Sequence, residues 1–375
     1  MSTRPLGRSL DPLPGESVIG YLLRLSCRLR VSPARLARST GCAGHGFIGR
    51  RVLFGFDTRE FARAARLTED EALSLAPAAW ADRYPPIRRS RIEPGRRIVL
   101  DSWLSSQSTR YCPQCLAGDA SPVQQQYGGP WKKAWQLPVT FACTTHQRFL
   151  REGCPRAHRT GQGGSALIPY PAVASLHPAQ CRLPPDRREQ GPGRSSCIRL
   201  DHQPGEDGLP RPDPRTLNAQ DHILRLLSPE HPAPDAARAF TDLRVASALV
   251  CLSWPLSEDY MNSSLASAVS EHINTASDRR YLDRQPRGIL ATAGILSAAT
   301  GILASEDLER TLARHIPSGA APTDTSRSWA TLLKRHQPAC SPAFRATALS
   351  ITESRTTDRR KRRTPAAPTS LRYRQ

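Results

Sequence analysis

With 375 residues, the chain is long enough for two or three domains and a sizeable buried core. Its 53 Lys and Arg against 33 Asp and Glu give a formal net charge of +20, which favours a polyanionic partner, above all nucleic acid. Ten cysteines are too few for a disulfide scaffold in such a chain, residues 1–30 lack the apolar core of a signal peptide, and no apolar run approaches the ~20 residues that cross a bilayer. Composition therefore argues against a secreted or membrane-spanning protein and predicts a cytoplasmic one.

Residues 14–80 carry helical patterns. The apolar residues of a first helix recur on one face: Val18, Leu22, Leu25 and Leu29. Ser32-Pro33 supplies a cap and a proline for the first helical position, which predicts a second helix from Ala34 to about Thr40. Thr68–Glu71 has the sequence of a capping box and predicts a third helix. Two short helices joined tightly are compatible with a helix-turn-helix, although ordinary helix packing gives the same pattern.

Arginine is concentrated in this N-terminal region. Between residues 24 and 66, arginines far outnumber the acidic residues, which are Asp57 and Glu60. We selected four arginines as candidates for nucleic-acid contact: Arg35, Arg38, Arg50 and Arg51. The alternative for each is a solvated surface charge, and a GC-rich genome also enriches arginine without any function behind it.

The rest of the chain alternates between irregular and helical patterns. Residues 84–97 are rich in Pro and Arg and predict a connector, 98–104 predict a short strand, and 159–215 predict loops with partial disorder. Apolar residues return to helical spacing from about 216 onward, and the basic end of the chain predicts a disordered tail. The predicted units are residues 11–150, a looser segment at 151–215, a helical region at 216–350 and the tail at 351–375.

Two short motifs carry the strongest chemical signal. Cys112-Pro113-Gln114-Cys115 and Cys143-Thr144-Thr145-His146 each place two soft ligands three positions apart, as in the knuckles of zinc sites. A set of four such ligands leaves no open coordination position for a substrate, so the site is expected to be structural. The predicted fold is mainly α, with helix-turn-helix-like N-terminal helices, central zinc-finger or zinc-ribbon modules and a C-terminal helical region.

A second Cys/His cluster follows the first. Its members are Cys154, His158, Cys181 and Cys197, with His177 and His202 as rivals for ligand positions. The spacing between Cys154 and His158 suits a metal, but residues 182–196 separate the other two cysteines, which is far from a knuckle. One zinc site is therefore expected, and a second remains open against unrelated cysteines in a loop.

Several motifs in order resemble the TniQ family. The first is Pro14-Gly15-Glu16-Ser17, which opens an amphipathic helix that ends near Arg24-Leu25-Ser26. The others follow in the family's order: Tyr111–Leu116, Trp135-Gln136-Leu137-Pro138, Cys143–His146, Phe149-Leu150 and Cys154-Pro155. The resemblance covers residues 11–200, and His158 stands where the family would have a second cysteine after Cys154.

The resemblance implies a non-enzymatic accessory factor of DNA transposition and recombination. Such a factor binds double-stranded DNA or a targeting complex, selects the target site, and recruits a transposition ATPase and transposase, so it would be nucleoid-associated. On this analogy Cys112, Cys115, Cys143 and His146 hold Zn²⁺, and Cys154 opens a second finger. The oligomeric state is open, with a homodimer among the alternatives.

Two other functions remain open from the sequence. One is a metal-dependent nuclease of the HNH type, for which Asp201-His202 and Asp221-His222 are the candidate pairs, against chance adjacency in polar segments. The other is a protein–protein adaptor without direct DNA affinity, which would share the zinc fingers with the leading hypothesis.

Overall fold

The computed structural model describes residues 5–7, 9–42, 56–89, 101–106, 108–154, 176–182, 198–201, 208–275, 283–317 and 324–363. This part of the chain is mainly helical. Its α-helices, numbered in chain order, are α1 (Val18–Leu29), α2 (Pro33–Ser39), α3 (Thr58–Ala65), α4 (Glu69–Ser74), α5 (Pro85–Arg89), α6 (Pro113–Ala117), α7 (Pro122–Tyr127), α8 (Pro214–Leu226), α9 (Ala233–Leu252), α10 (Ser263–Thr275), α11 (Ile289–Leu303), α12 (Leu308–His315), α13 (Asp324–His336) and α14 (Pro342–Arg363). The strands are β1 (Arg110–Tyr111), β2 (Ala142–Cys143), β3 (Arg148–Phe149) and β4 (Arg151–Glu152).

The N-terminal helices form where the capping signals place them. Ser32 caps α2 by accepting a hydrogen bond from the Arg35 backbone N–H, and Thr68 and Glu71 form the reciprocal capping box of α4. The predictions of α1, α2 and α4 are therefore confirmed. Residues 30–32 join α1 to α2, and the two helices pack against each other. Their use as a helix-turn-helix stays a prediction.

The Pro14–Ser17 motif attaches the start of α1 to the centre of the chain. Glu16 and Arg24 form a fully buried ion pair, with Nε 2.7 Å from Oε1. The Ser17 backbone N–H donates to the carbonyl of Trp131 at 2.8 Å. On the next turn, a Cβ on Gly20 would lie 2.8 Å from the Trp131 Cβ, so only glycine permits this approach. The motif thus positions the segment that leads into the second knuckle.

The C-terminal helices pack around α9 and α11. Both helices are buried on most sides, which agrees with their nearly continuous apolar sequences. The helical prediction from residue 216 onward is confirmed by α8 to α14. Among the described residues, no helix is both long and apolar enough to cross a bilayer.

A buried ionic network joins the N-terminal and C-terminal regions. Arg244 on α9 donates through Nη1 to Asp101 Oδ2 at 2.7 Å and through Nε to Asp283 Oδ1 at 2.7 Å. His336 Nε2 lies 3.1 Å from the same Asp283 oxygen. One hydrophobic cluster also contains residues from both regions, so they share a core.

Three local expectations differ from the structure. Residues 84–97 were expected to be a connector; within it Pro85 begins the short helix α5, since proline is well suited to a first helical turn, and residues 90–97 lie outside the described residues. Within the expected strand 98–104, residues 101–104 form a turn in which Asp101 accepts from the Trp103 N–H at 2.9 Å; 98–100 lie outside the described residues.

The third correction concerns the tail. The helix α14 passes through the expected boundary at residue 350 and continues to Arg363, so residues 351–363 are helical rather than disordered. Its buried residues Phe344, Ala348 and Ile351 continue the helical spacing, and Arg355 donates to the carbonyls of Ala313 and Ile316 at the end of α12. These tertiary contacts stabilise a segment whose composition alone predicts disorder.

Candidate metal centre

The first knuckle lies where β1 runs into α6. Cys112 is the N-cap residue of α6, Pro113 occupies its first turn, and Cys115 lies one turn later. The Leu116 backbone N–H donates to the Cys112 carbonyl at 3.1 Å and closes this turn. The tight turn places both thiols on the same side, and both residues are buried.

The second knuckle is the turn of the β2–β3 hairpin. Ala142 pairs with Phe149 and Cys143 with Arg148, so residues 144–147 form the connection. Gln147 adopts a φ of +47°, a left-handed conformation that closes the turn. Cys143 is buried and His146 is half-buried at opposite ends of this turn.

The β1–β4 pairing and the Arg110 side chain hold the two knuckles against each other. β1 pairs antiparallel with β4, which places Tyr111 opposite Arg151. Arg110 is buried and lies two residues before Cys112. It donates through Nη1 to the carbonyls of Pro138 and Thr140 at 2.9 Å each. Arg110 thus ties the first knuckle to the chain that enters the second.

Gln220 of α8 supports the second knuckle from the C-terminal region. Its side chain is fully buried, and Oε1 accepts from the backbone N–H groups of Phe141 at 2.6 Å and Ala142 at 2.9 Å. These peptides directly precede Cys143. Gln220 could not be predicted from the sequence, because nothing near it in sequence marks a contact with a hairpin far earlier in the chain.

Gly129 packs directly beneath the first knuckle. Its backbone N–H donates to the Leu116 carbonyl at 2.8 Å, and a Cβ at this position would lie 1.8 Å from the Cys115 carbonyl oxygen. No side chain fits in this space. The adjacent glycines Gly128-Gly129 are the sequence signal for this close contact, but no prediction was based on them.

The four ligand atoms lie close enough together to share one ion. All lie within 4.8 Å of one another: the Sγ atoms of Cys112, Cys115 and Cys143 and a ring nitrogen of His146. The Cys115–Cys143 sulfur separation is 3.6 Å, and His146 Nδ1 lies 3.3–3.5 Å from the three sulfurs. Zn²⁺ with bonds of about 2.3 Å to sulfur and about 2.0–2.1 Å to nitrogen would separate neighbouring ligands by about 3.8 Å and about 3.5 Å. The donor set and its geometry therefore fit zinc.

The protonation of the cluster also favours a cation. Hydrogen bonds from Cys112 and Cys115 lower the pKa of the Cys143 thiol. Hydrogen bonds with Cys112 and Cys143 raise the pKa of the Cys115 thiol, and burial adds to the increase. Three adjacent thiolates repel one another, so a divalent ion is needed for all three to lose their protons together.

The second Cys/His cluster is only half described. Cys154 lies just after β4 and is half-buried, and Cys181 is buried with its backbone N–H donating to the Ile198 carbonyl at 3.0 Å. His158 and Cys197 lie outside the described residues, as does the rival His202. His177 is held by other contacts, since Nδ1 accepts from the Ala179 N–H at 3.2 Å and Nε2 lies 3.3 Å from Arg199 Nη2. Within the described ranges, the first cluster alone gathers three or more potential metal ligands.

The other candidate residues are dispersed. Arg35 and Arg38 are exposed on α2, and Arg50 and Arg51 lie outside the described residues. Asp201 is buried and forms an ion pair with Arg199, whose Nε lies 3.0 Å from Oδ1. Asp221 pairs with Arg225 on the exposed face of α8. The described residues thus bring no carboxylate to the metal centre.

Residues 8–150 match the model of the TniQ family. The chain carries a TniQ-family region. The comparisons with curated proteins and with solved structures found no match. The TniQ region contains the Pro14–Ser17 motif and all four residues of the metal centre, and it associates the protein with transposition. Residues 151–375, which include Gln220, lie beyond the match.

Proposed function

We propose that this protein is a zinc-stabilised, DNA-binding accessory factor of transposition, which selects the target site and recruits the transposition ATPase and transposase. The observation that carries the proposal is the TniQ match together with the convergence of its four Cys and His side chains. Zinc here has a structural role, because the protein supplies all four ligands and leaves no position for a substrate. The ion would hold the α6 turn and the β2–β3 hairpin as one rigid unit.

The net charge of +20 and the exposed Arg35 and Arg38 support direct DNA binding. Phosphate contacts make affinity salt-dependent, since each neutralised phosphate releases counterions and steepens the fall of log K with log salt by about 0.9. We expect DNA binding in fluorescence anisotropy that weakens steeply between about 50 and 200 mM salt. Equal binding at both salt concentrations, or none at either, would count against a DNA-binding factor and leave the adaptor function.

Recruitment is tested by co-purification of the transposition ATPase with and without DNA. If the ATPase binds only when DNA is present, the result supports target selection by a complex of this protein, DNA and the ATPase. If the ATPase binds equally without DNA, the result supports the adaptor function. No contact in the described structure favours the nuclease alternative, since Asp201 is neutralised by Arg199. Intact plasmid after incubation with protein and Mg²⁺ is therefore the expected result.

A further inference from the structure

A groove of about 1130 Å³ lies beside the metal centre. Part of its lining is the turn of the β2–β3 hairpin, which carries His146, and another part is the segment 208–212 that leads into α8. Leu209 and Pro210 contribute apolar surface. We call this feature the knuckle groove.

The polar lining of the knuckle groove consists almost entirely of hydrogen-bond donors. Besides His146, its polar residues are Gln114, Thr145, Gln147, Arg148, Arg211 and Ser264. Each of these side chains can donate a hydrogen bond, and the described residues that line the groove include no acid. Arg148 on the hairpin and Arg211 on the segment 208–212 add fixed positive charge. The two arginines and the lack of acids among the described lining residues therefore favour an anionic ligand.

A sugar–phosphate backbone has this chemistry. Proteins hold phosphates with Arg together with Ser, Thr and Gln side chains, which is the set found here. Apolar surface from Leu209 and Pro210 suits the sugars between successive phosphates. An acidic peptide would also be attracted by the two arginines and would also offer acceptor oxygens. The net charge of +20 over the whole chain favours the more densely charged nucleic-acid backbone.

We propose that the knuckle groove binds the phosphate backbone of DNA, with Arg148 on the hairpin and Arg211 on the segment 208–212 contacting phosphates. The proposal rests on the DNA-binding part of the proposed function, and it places a contact surface far along the chain from Arg35 and Arg38. Because one wall is the turn between two metal ligands, the groove keeps its shape only while that turn is held.

The test compares alanine variants in the full chain by fluorescence anisotropy with duplex DNA at several salt concentrations. Arg148→Ala and Arg211→Ala are each expected to reduce the slope of log K against log salt by about 0.9, and the double variant by about twice that. Arg310→Ala is the matched control, because Arg310 is exposed on α12 and its loss changes the net charge equally. Metal content and thermal melting are measured for every variant.

The outcomes separate this proposal from the proposed function. If the wild-type protein binds DNA and both groove variants show the same slope of log K against log salt as Arg310→Ala, the groove proposal is refuted. The proposed DNA-binding function would then still stand. Wild-type protein that does not bind DNA overturns both. If Arg148→Ala loses metal, Arg211→Ala alone decides, because Arg211 is exposed outside the hairpin. Groove variants that weaken binding to a poly-glutamate peptide and leave DNA binding unchanged would assign the groove to an acidic peptide and refute the proposal.

Discussion

Replacing Gln220 is expected to weaken metal binding although Gln220 is not a ligand. Gln220→Ala removes the one acceptor shared by the Phe141 and Ala142 N–H groups, both next to Cys143. The site is fully buried, so each abandoned N–H group costs about 1–3 kcal/mol. Hydrogen bonds that orient metal ligands from behind typically contribute about 10–100-fold to metal affinity. This range corresponds to about 1.4–2.7 kcal/mol, which is within the cost of a single orphaned N–H.

The assay is competition for zinc with a colorimetric chelator, using wild-type protein and two variants. Gln285→Ala is the matched control, because Gln285 is also buried and its Nε2 donates to the Ser105 carbonyl at 3.2 Å across the same two regions. We expect Gln220→Ala to release zinc at about 10–100-fold lower chelator concentration and Gln285→Ala to match the wild type.

An equal loss of zinc affinity in both variants would show a general effect on stability. Unchanged affinity in Gln220→Ala would show that the hairpin holds its geometry without α8. Either result would refute the argument that Gln220 positions the second knuckle.

Three further predictions concern the metal centre and the buried ionic network that joins the N-terminal and C-terminal regions. Cys112→Ser is expected to remove zinc and lower the melting temperature, as measured by elemental analysis and calorimetry, and an unchanged zinc content would contradict the ligand assignment. Gly129→Ala is expected to destabilise the protein, because its Cβ would lie 1.8 Å from the Cys115 carbonyl oxygen, whereas Gly7→Ala, with open space around it and no left-handed backbone, serves as its control for steric overlap in thermal melts. Burial alone would raise the pKa of the Asp283 carboxyl, but the hydrogen bond with His336 and the charge of Arg244 hold it well below its usual range. A depressed carboxyl pKa gives stability that is present above the unfolded value of about 3.9 and is lost as the pH falls below it, so Asp283→Asn should flatten the loss of melting temperature below about pH 4, and a parallel profile would contradict this.

The parts of the structure that follow from short sequence patterns could be predicted. The caps at Ser32 and Thr68 act over three residues, and each knuckle joins positions three apart, so local spacing contains the whole signal. The two-residue strands could not be found this way, since they are too short to show an alternating pattern. The strand expected at 98–104 was wrong at residues 101–104, because these form a turn and their apolar residues Trp103 and Leu104 pack in the core.

The supports of the site depend on distant residues. Gln220 contacts peptides 78 and 79 positions earlier, and Arg110 contacts carbonyls 28 and 30 positions later. Neither contact has a local sequence pattern, because the folded core and not the spacing brings the partners together. The composition of residues 351–363 wrongly predicted disorder for the same reason. The helix α14 is held by tertiary contacts such as that of Arg355 with the end of α12.

The position of the metal centre indicates what a zinc ion would do for the fold. Its four ligands come from residues 112–146, inside the TniQ region, yet the peptide before Cys143 is held by α8 and the nearby Arg110 Nη2 lies 3.4 Å from Thr292 Oγ1 of α11. A bound ion would therefore stabilise the hairpin against the C-terminal helices as well as the two knuckles against each other. Because a closed four-ligand site offers no substrate position, stabilisation is the chemistry that such an ion can supply. The surface that gains from it is the one built on the hairpin turn, and a loosened turn would widen the knuckle groove and separate Arg148 from Arg211. Removal of zinc should thus weaken DNA binding and reduce the slope of log K against log salt by the amount that Arg148 and Arg211 contribute together. This effect is expected even though the ion itself contacts no phosphate.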